Sequence, residues 1–218
     1  MVLTSMRTSV SIMSTTTYSP VLADVALPKA TTTGGAWART LGLITAGIAL
    51  TALFARIEIP MWPVPITGQT LAVLLVGATL GMRRGAAAMA GYAAVGLAGL
   101  PVFAGGAGGP QMVAAPSFGF ILGFIPAAAL IGYLSERTWD RKPVLAIAGF
   151  ALATVVPFLV GVPYMGVVLS SLGTHVTFGL LMEYGVTPFL VGGAIKCAIA
   201  AALLPLAWKF LGRPSADA

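Results

Sequence analysis

Val144-Leu-Ala-Ile-Ala-Gly-Phe-Ala-Leu-Ala-Thr-Val-Val-Pro-Phe-Leu-Val-Gly-Val-Pro-Tyr-Met-Gly-Val-Val168 contains no charged side chain. A perpendicular helix needs about 20 residues to cross the hydrocarbon core of a bilayer, and this run exceeds that. Its apolar residues are continuous and do not alternate with period two, which predicts a helix rather than a barrel strand. Lipid leaves no other choice, because it cannot satisfy the polar groups of an irregular backbone.

Working outward, five more apolar segments appear. They cover about Thr40–Ala55, Thr70–Met82, Gly85–Leu100, Gly119–Leu134 and Pro188–Leu211. Those at Thr70 and Gly85 are short for a full span, so five or six spans both satisfy hydropathy. Composition agrees with a membrane protein. Of 218 residues, 58% are hydrophobic and only 8% charged, with a mean hydropathy of +0.96. A soluble domain carries roughly 25% charged residues. The expected class is an all-α bundle of six transmembrane helices spanning residues 37–212, between an N-terminal tail (1–36) and a C-terminal tail (213–218).

Charge favours six spans. The net charge is +6, but the basic residues stand in short loops between apolar runs, where they orient helices rather than bind nucleic acid. With the N-terminus, Lys29 and Arg39 in the cytoplasm, six spans also place Arg83, Arg84, Arg137, Arg141, Lys142, Lys209 and Arg213 there. Only Arg56 falls outside, with Glu58 beside it as an expected partner. This predicts a multi-pass plasma-membrane protein with both termini cytoplasmic. The stretch to about Gly35 is rich in Ser and Thr and lacks the apolar core of a cleaved signal peptide, so it is expected to be disordered. Met13 is an alternative initiator. Cys197 is the single cysteine, which excludes an intrachain disulfide and suits a packing role.

The outer connections, 57–69, 101–118 and 163–187, are rich in Pro and Gly and nearly uncharged. Such backbone is tolerated at a membrane face when it lines a cavity, so these loops are expected to close a ligand cavity. No internal repeat supports an inverted-repeat transporter.

Several residues could serve such a cavity. Lys196 lies well inside the last segment, where an ionisable group is costly and faces the bundle interior. It is read as a donor to an anionic or carbonyl-bearing ligand, against the alternative that it snorkels to the surface. Thr67 and Gln69 stand at the mouth of the second helix. Thr67 or Gly68 could merely cap that helix, whereas Gln69 offers both donors and an acceptor. The loop Pro101-Val-Phe-Ala-Gly-Gly-Ala-Gly-Gly-Pro110 exposes backbone amides at Gly105 and Gly106 beside Phe103, and lacks the pattern of a phosphate loop. Pro116-Ser-Phe-Gly119 could deliver Phe118 and Gly119. Tyr92, Tyr164 and Trp62 are aromatic residues with polar handles, and for the last two an interfacial belt is an equal explanation. His175 and Glu183 have no companions at ligand spacing, so neither a metal site nor a catalytic set is expected. In the first helix, Gly42/Ala46, Thr45/Ala49 and Gly47/Thr51/Ala55 form small-residue rows that permit close helix approach, within the chain or with a partner.

The stretches Val64-Pro-Ile-Thr-Gly-Gln-Thr-Leu-Ala-Val-Leu-Leu-Val-Gly77, Leu80-Gly-Met-Arg-Arg-Gly85, Gly99-Leu-Pro-Val-Phe-Ala-Gly-Gly106, Pro116-Ser-Phe-Gly-Phe-Ile-Leu-Gly-Phe124, Gly161-Val-Pro-Tyr164 and Pro188-Phe-Leu-Val-Gly-Gly-Ala-Ile-Lys196 resemble the BioY family. These are the biotin-specific substrate-binding subunits (S components) of energy-coupling factor transporters. The resemblance runs from about Thr40 to Leu211. It implies a membrane receptor for biotin, without catalytic activity or cofactor of its own. It also implies a transmembrane coupling subunit and two ATPases as partners, with Gly42, Ala46, Ala49, Arg83 and Arg84 on the docking side. Its ligand residues would be Lys196, Gln69, Thr67, Tyr92, Phe103, Gly105, Gly106, Phe118, Gly119, Tyr164 and the position of Gly193. That last position departs from the family, whose motif reads Pro-Gly-Asp-x-x-Lys or close to it. Three readings follow: another group substitutes for the aspartate, the affinity is lower, or the ligand is a different vitamin. A structural or assembly role is the alternative from another class.

Overall fold

A computed structural model describes residues 19–28 and 30–211. It is built mainly of helices: α1 (Leu22–Ala26), α2 (Thr33–Ala55), α3 (Gln69–Leu80), α4 (Met82–Leu97), α5 (Phe118–Glu136), α6 (Pro143–Ser171), α7 (Phe178–Gly185) and α8 (Phe189–Leu211). Four of them, α2, α5, α6 and α8, are long and apolar enough to cross a membrane. A two-stranded antiparallel hairpin, β1 (Glu58–Ile59) and β2 (Ile66–Thr67), joins α2 to α3.

Small residues set the packing. α3 ends at Gly81, whose φ of 85° is the left-handed region that glycine tolerates best. The chain doubles back there, and a Cβ on Gly85 would lie 2.9 Å from the Gly77 Cα. α5 crosses this junction so closely that a Cβ on Gly132 would sit 2.5 Å from backbone atoms of Gly81 and Met82. Against α6, a Cβ on Gly123 would meet the Pro157 Cα at 2.7 Å. α3 is the most enclosed: Ala72, Val73, Leu74, Val76 and Ala78 are all buried. That resolves its shortness, since a 12-residue helix needs no lipid-length face when other helices surround it.

The small-residue rows of α2 separate by face. Gly47, Thr51 and Ala55 are buried, with Thr51 donating to the Gly47 carbonyl at 2.9 Å. Gly42, Thr45, Ala46 and Ala49 are exposed.

Four expectations change. Arg56 does not pair with Glu58; it reaches across to the Pro101 carbonyl at 2.5 Å and ties the hairpin side to the glycine loop. α6 covers the whole apolar run 144–168 and continues to Ser171, so the outer connection expected from 163 begins only after it; Pro163 is accommodated because a proline inside a membrane helix removes one bond that neighbouring groups can replace. α7 occupies part of the expected third loop. Part of the expected tail over 1–36 is structured, since it carries α1 and the start of α2, while residues 1–18 lie outside the described residues. α2 starts at Thr33, capped by the Thr32 hydroxyl accepting from Gly35 N at 3.1 Å. Before it, Val21 is 2% exposed, and Asp24 forms a bidentate pair with Arg84 at 2.9 and 2.8 Å. Arg39 adds bonds to the Ala23 carbonyl and Asp24 at 2.8 and 3.4 Å. Met13, Lys29, Arg213 and the segment 213–218 lie outside the described residues.

Candidate functional site

A cavity of about 120 Å³ lies where the hairpin, the glycine loop and helices α3, α5, α6 and α8 converge. Its walls are largely apolar, with phenylalanines prominent among them. Phe120, Phe158 and Phe189 form a cluster with ring centroids 5.8 to 6.1 Å apart, and Phe103 and Phe124 also line it. Offset and edge-on packing of this kind suits aromatic quadrupoles and leaves apolar faces for a ligand.

Polar groups enter from one side. Lys196 Nζ donates to the Thr67 carbonyl at 2.5 Å and to Thr70 Oγ1 at 3.1 Å. An ammonium has three donors, so one stays available. The Thr67 hydroxyl donates to Gln69 Oε1 at 2.8 Å and accepts from the Gln69 backbone N–H at 3.3 Å. Gln69 Nε2 donates to the Tyr92 hydroxyl at 2.6 Å, which in turn donates to the Val102 carbonyl at 2.9 Å. One chain of hydrogen bonds therefore links α8, β2, α3, α4 and the glycine loop. It fixes the polar edge of the cavity before any ligand arrives, the arrangement that lowers the ordering cost of binding.

Among the described residues Lys196 is the only charged side chain in the lining, and no acidic residue accompanies it there. It takes part in neither of the ion pairs among the described residues. A ligand bearing an anionic group or a strong carbonyl dipole would complement it, because a membrane-embedded charge is stable only when paired or well hydrogen-bonded.

Of the residues singled out from sequence, Lys196, Gln69, Thr67, Phe103 and Gly193 line the cavity. Tyr92 is fully buried behind Gln69. Phe118 is buried between Phe103 and Tyr164, and Gly119 packs on the Tyr164 side chain. The Tyr164 hydroxyl donates to the Val113 carbonyl. Gly105 and Gly106 turn toward Glu58 and Arg56. Trp62 is exposed, edge-on to Tyr184. His175 and Glu183 are exposed, and no group of metal-ligating side chains exists among the described residues. On the far side from the cavity, Arg83 is exposed while Arg84 is engaged by Asp24.

Sequence reading missed Thr70, Ser117, Thr154 and most of the phenylalanines in the lining. Thr154 carried a usable signal, being a hydroxyl inside an otherwise apolar run. The phenylalanines did not, because apolar residues on membrane helices face lipid, neighbour or cavity with the same sequence pattern.

Comparison with known proteins adds an independent line. The BioY family model matches residues 19–213. The biotin transporter BioY of Rhizobium etli is 36% identical over 172 residues, covering 73% of this chain and 91% of that protein. The biotin transporter BioY of Thermotoga maritima is 37% identical over 163 residues, covering 73% and 90%. The crystal structure of an S-component for biotin from an ECF-type ABC transporter aligns with a TM-score of 0.63, covering 83% of this chain and 95% of that one. At 24% identity that likeness speaks to the fold alone.

Proposed function

The chain belongs to the BioY family, and on that premise we propose that it is a membrane-embedded, biotin-binding subunit of a vitamin uptake transporter. It is a transport protein, not an enzyme. The observation that carries the ligand assignment is Lys196 as the one charged side chain, among the described residues, in a cavity otherwise lined by apolar and uncharged polar groups. Biotin matches this chemistry, with an apolar bicycle and tail for the phenylalanines, and a ureido group and one carboxylate for the polar edge.

In this reading α2, α3, α4, α5, α6 and α8 are six spans, and the Pro/Gly-rich loops close the cavity on the outer side. The end carrying Arg39, Arg83, Arg84, Arg137, Arg141, Lys142 and Lys209 is cytoplasmic, consistent with the positive-inside bias. A transmembrane coupling subunit docks on the exposed Gly42, Ala46 and Ala49 face of α2 beside Arg83 and Arg84, and two ATPases supply the energy.

The test is growth of a biotin-auxotrophic bacterium without its own uptake system, supplied with this chain and a coupling module. Growth at low biotin is expected, and Lys196→Ala should require more than about tenfold higher biotin, a loss above ~1.4 kcal/mol. Absence of rescue by protein present in the membrane contradicts the proposal. A second reading, an S component for another vitamin, is favoured by Gly193, which leaves Lys196 without a carboxylate one turn away.

A further inference from the structure

Two clefts meet along the seam between α6 and α8, away from the helices that α2 packs on. At the basic end, a cleft of about 580 Å³ is walled by Arg141, Pro143, Pro205, Leu206 and Lys209. Pro143 also lines a second groove of about 630 Å³. That groove rises past Ile147, Ala151, Ala198 and Ala202 to end at Thr154 and Gly193. We propose that this seam binds an anionic phospholipid, its phosphate between Arg141 and Lys209 and one acyl chain in the groove above.

Charge argues for the headgroup. Among the described residues no acidic side chain lines the lower cleft. Asp140 is 1% exposed and turned to Trp208 Nε1, which donates to it at 2.6 Å. Lys209 is exposed, and neither cation is in an ion pair among the described residues. Arg141 is held in place: its guanidinium lies 4.1 Å over the Trp208 ring, and one nitrogen donates to the Pro20 carbonyl at 2.7 Å. Its Nε–H is buried, so a phosphate in the cleft meets the terminal guanidinium nitrogens. A fixed guanidinium and an exposed ammonium lining one cleft suit a phosphate. The first turn of α6 opens at the same place with no side-chain cap, adding its positive end.

Length argues for the tail. From Pro143 to Thr154 a helix rises about 16 Å, close to half of the ~30 Å hydrocarbon core. One leaflet's acyl chain fits that depth. A partner helix crossing the membrane would need a groove that continues, whereas this one stops at Thr154 and Gly193, which line the ligand cavity from the other side. A free phosphate would fill only the lower cleft.

Native mass spectrometry of the full chain in detergent tests this, titrated with phosphatidylglycerol, phosphatidylcholine of the same acyl chains, or inorganic phosphate. Phosphatidylglycerol should bind more tightly than phosphatidylcholine. Lys209→Gln should weaken phosphatidylglycerol about fivefold, the weight of one lysine near an anionic surface, and leave phosphatidylcholine unchanged. Arg137→Gln, which removes an exposed charge outside the cleft, should change neither. Ala198→Trp, which fills the groove, should weaken phosphatidylglycerol. Equal affinity for both lipids, or equal losses in Lys209→Gln and Arg137→Gln, overturns the headgroup site. Retained lipid binding in Ala198→Trp, or full displacement of lipid by inorganic phosphate, overturns the acyl-chain assignment.

Discussion

Gly193 stands where the resemblance to BioY leads to an expected aspartate, and the space around it says what a carboxylate would do there. A Cβ at Gly193 would meet only the Thr154 methyl, at an ordinary 3.6 Å. An aspartate therefore fits, three residues before Lys196 on the same helix face. Gly193→Asp should tighten biotin binding in a calorimetric titration; an unchanged affinity would mean that another group already compensates Lys196. A second residue-scale prediction concerns Asp140, in the loop between α5 and α6. Burial pushes its pKa up to about 6, against the opposing pull of its bond from Trp208 and of Arg141. Its Oδ1 has no donor among the described residues. The folded protein thus keeps a proton that the unfolded chain has lost, so stability falls as pH rises from about 4 to about 6. Asp140→Asn keeps an acceptor for Trp208 without that charge. Wild type and variant should melt together near pH 4, and the variant should melt higher at about pH 7; parallel melting at both values would contradict the assignment.

Helices carry the next scale, where glycine contacts set the distances. Gly132→Ala drives a methyl into the backbone of Gly81 and Met82, 2.5 Å away on both atoms. Backbone cannot rotate aside as a side chain can, so a loss of about 1–3 kcal/mol is expected, read as a lower melting temperature in detergent. An unshifted melt would mean that α5 is free to move off the α3–α4 junction. This scale also shows what the sequence made legible. Hydropathy located all the long helices, because a run such as 144–168 has only one stable form in lipid. It left their ends uncertain: α6 runs on to Ser171, and α2 begins seven residues before Thr40, at Thr33. The binding of Asp24 to Arg39 and Arg84 was illegible for a different reason. It joins residues 15 and 60 positions apart, and no local pattern reports such a contact. The site divides the same way. Lys196, Gln69 and Thr67 stand out as polar groups in apolar surroundings, whereas Phe120, Phe158 and Phe189 become a wall only once three helices meet.

At the scale of the whole molecule, the fold separates its faces. The cavity opens among α3, α5, α6 and α8, while α2 leaves Gly42, Ala46 and Ala49 uncovered. A Cβ at Gly42 would touch nothing within 4 Å. Gly42→Leu should therefore preserve melting temperature and biotin affinity while abolishing copurification with a coupling subunit. Undiminished copurification would place the docking face elsewhere.

Equilibrium binding of biotin to the detergent-purified chain, by calorimetry, with thiamine and riboflavin alongside, tests the central claim most directly. Tight binding of biotin and none of the other two is the predicted result. A folded protein that ignores biotin, or that prefers another vitamin, would contradict it.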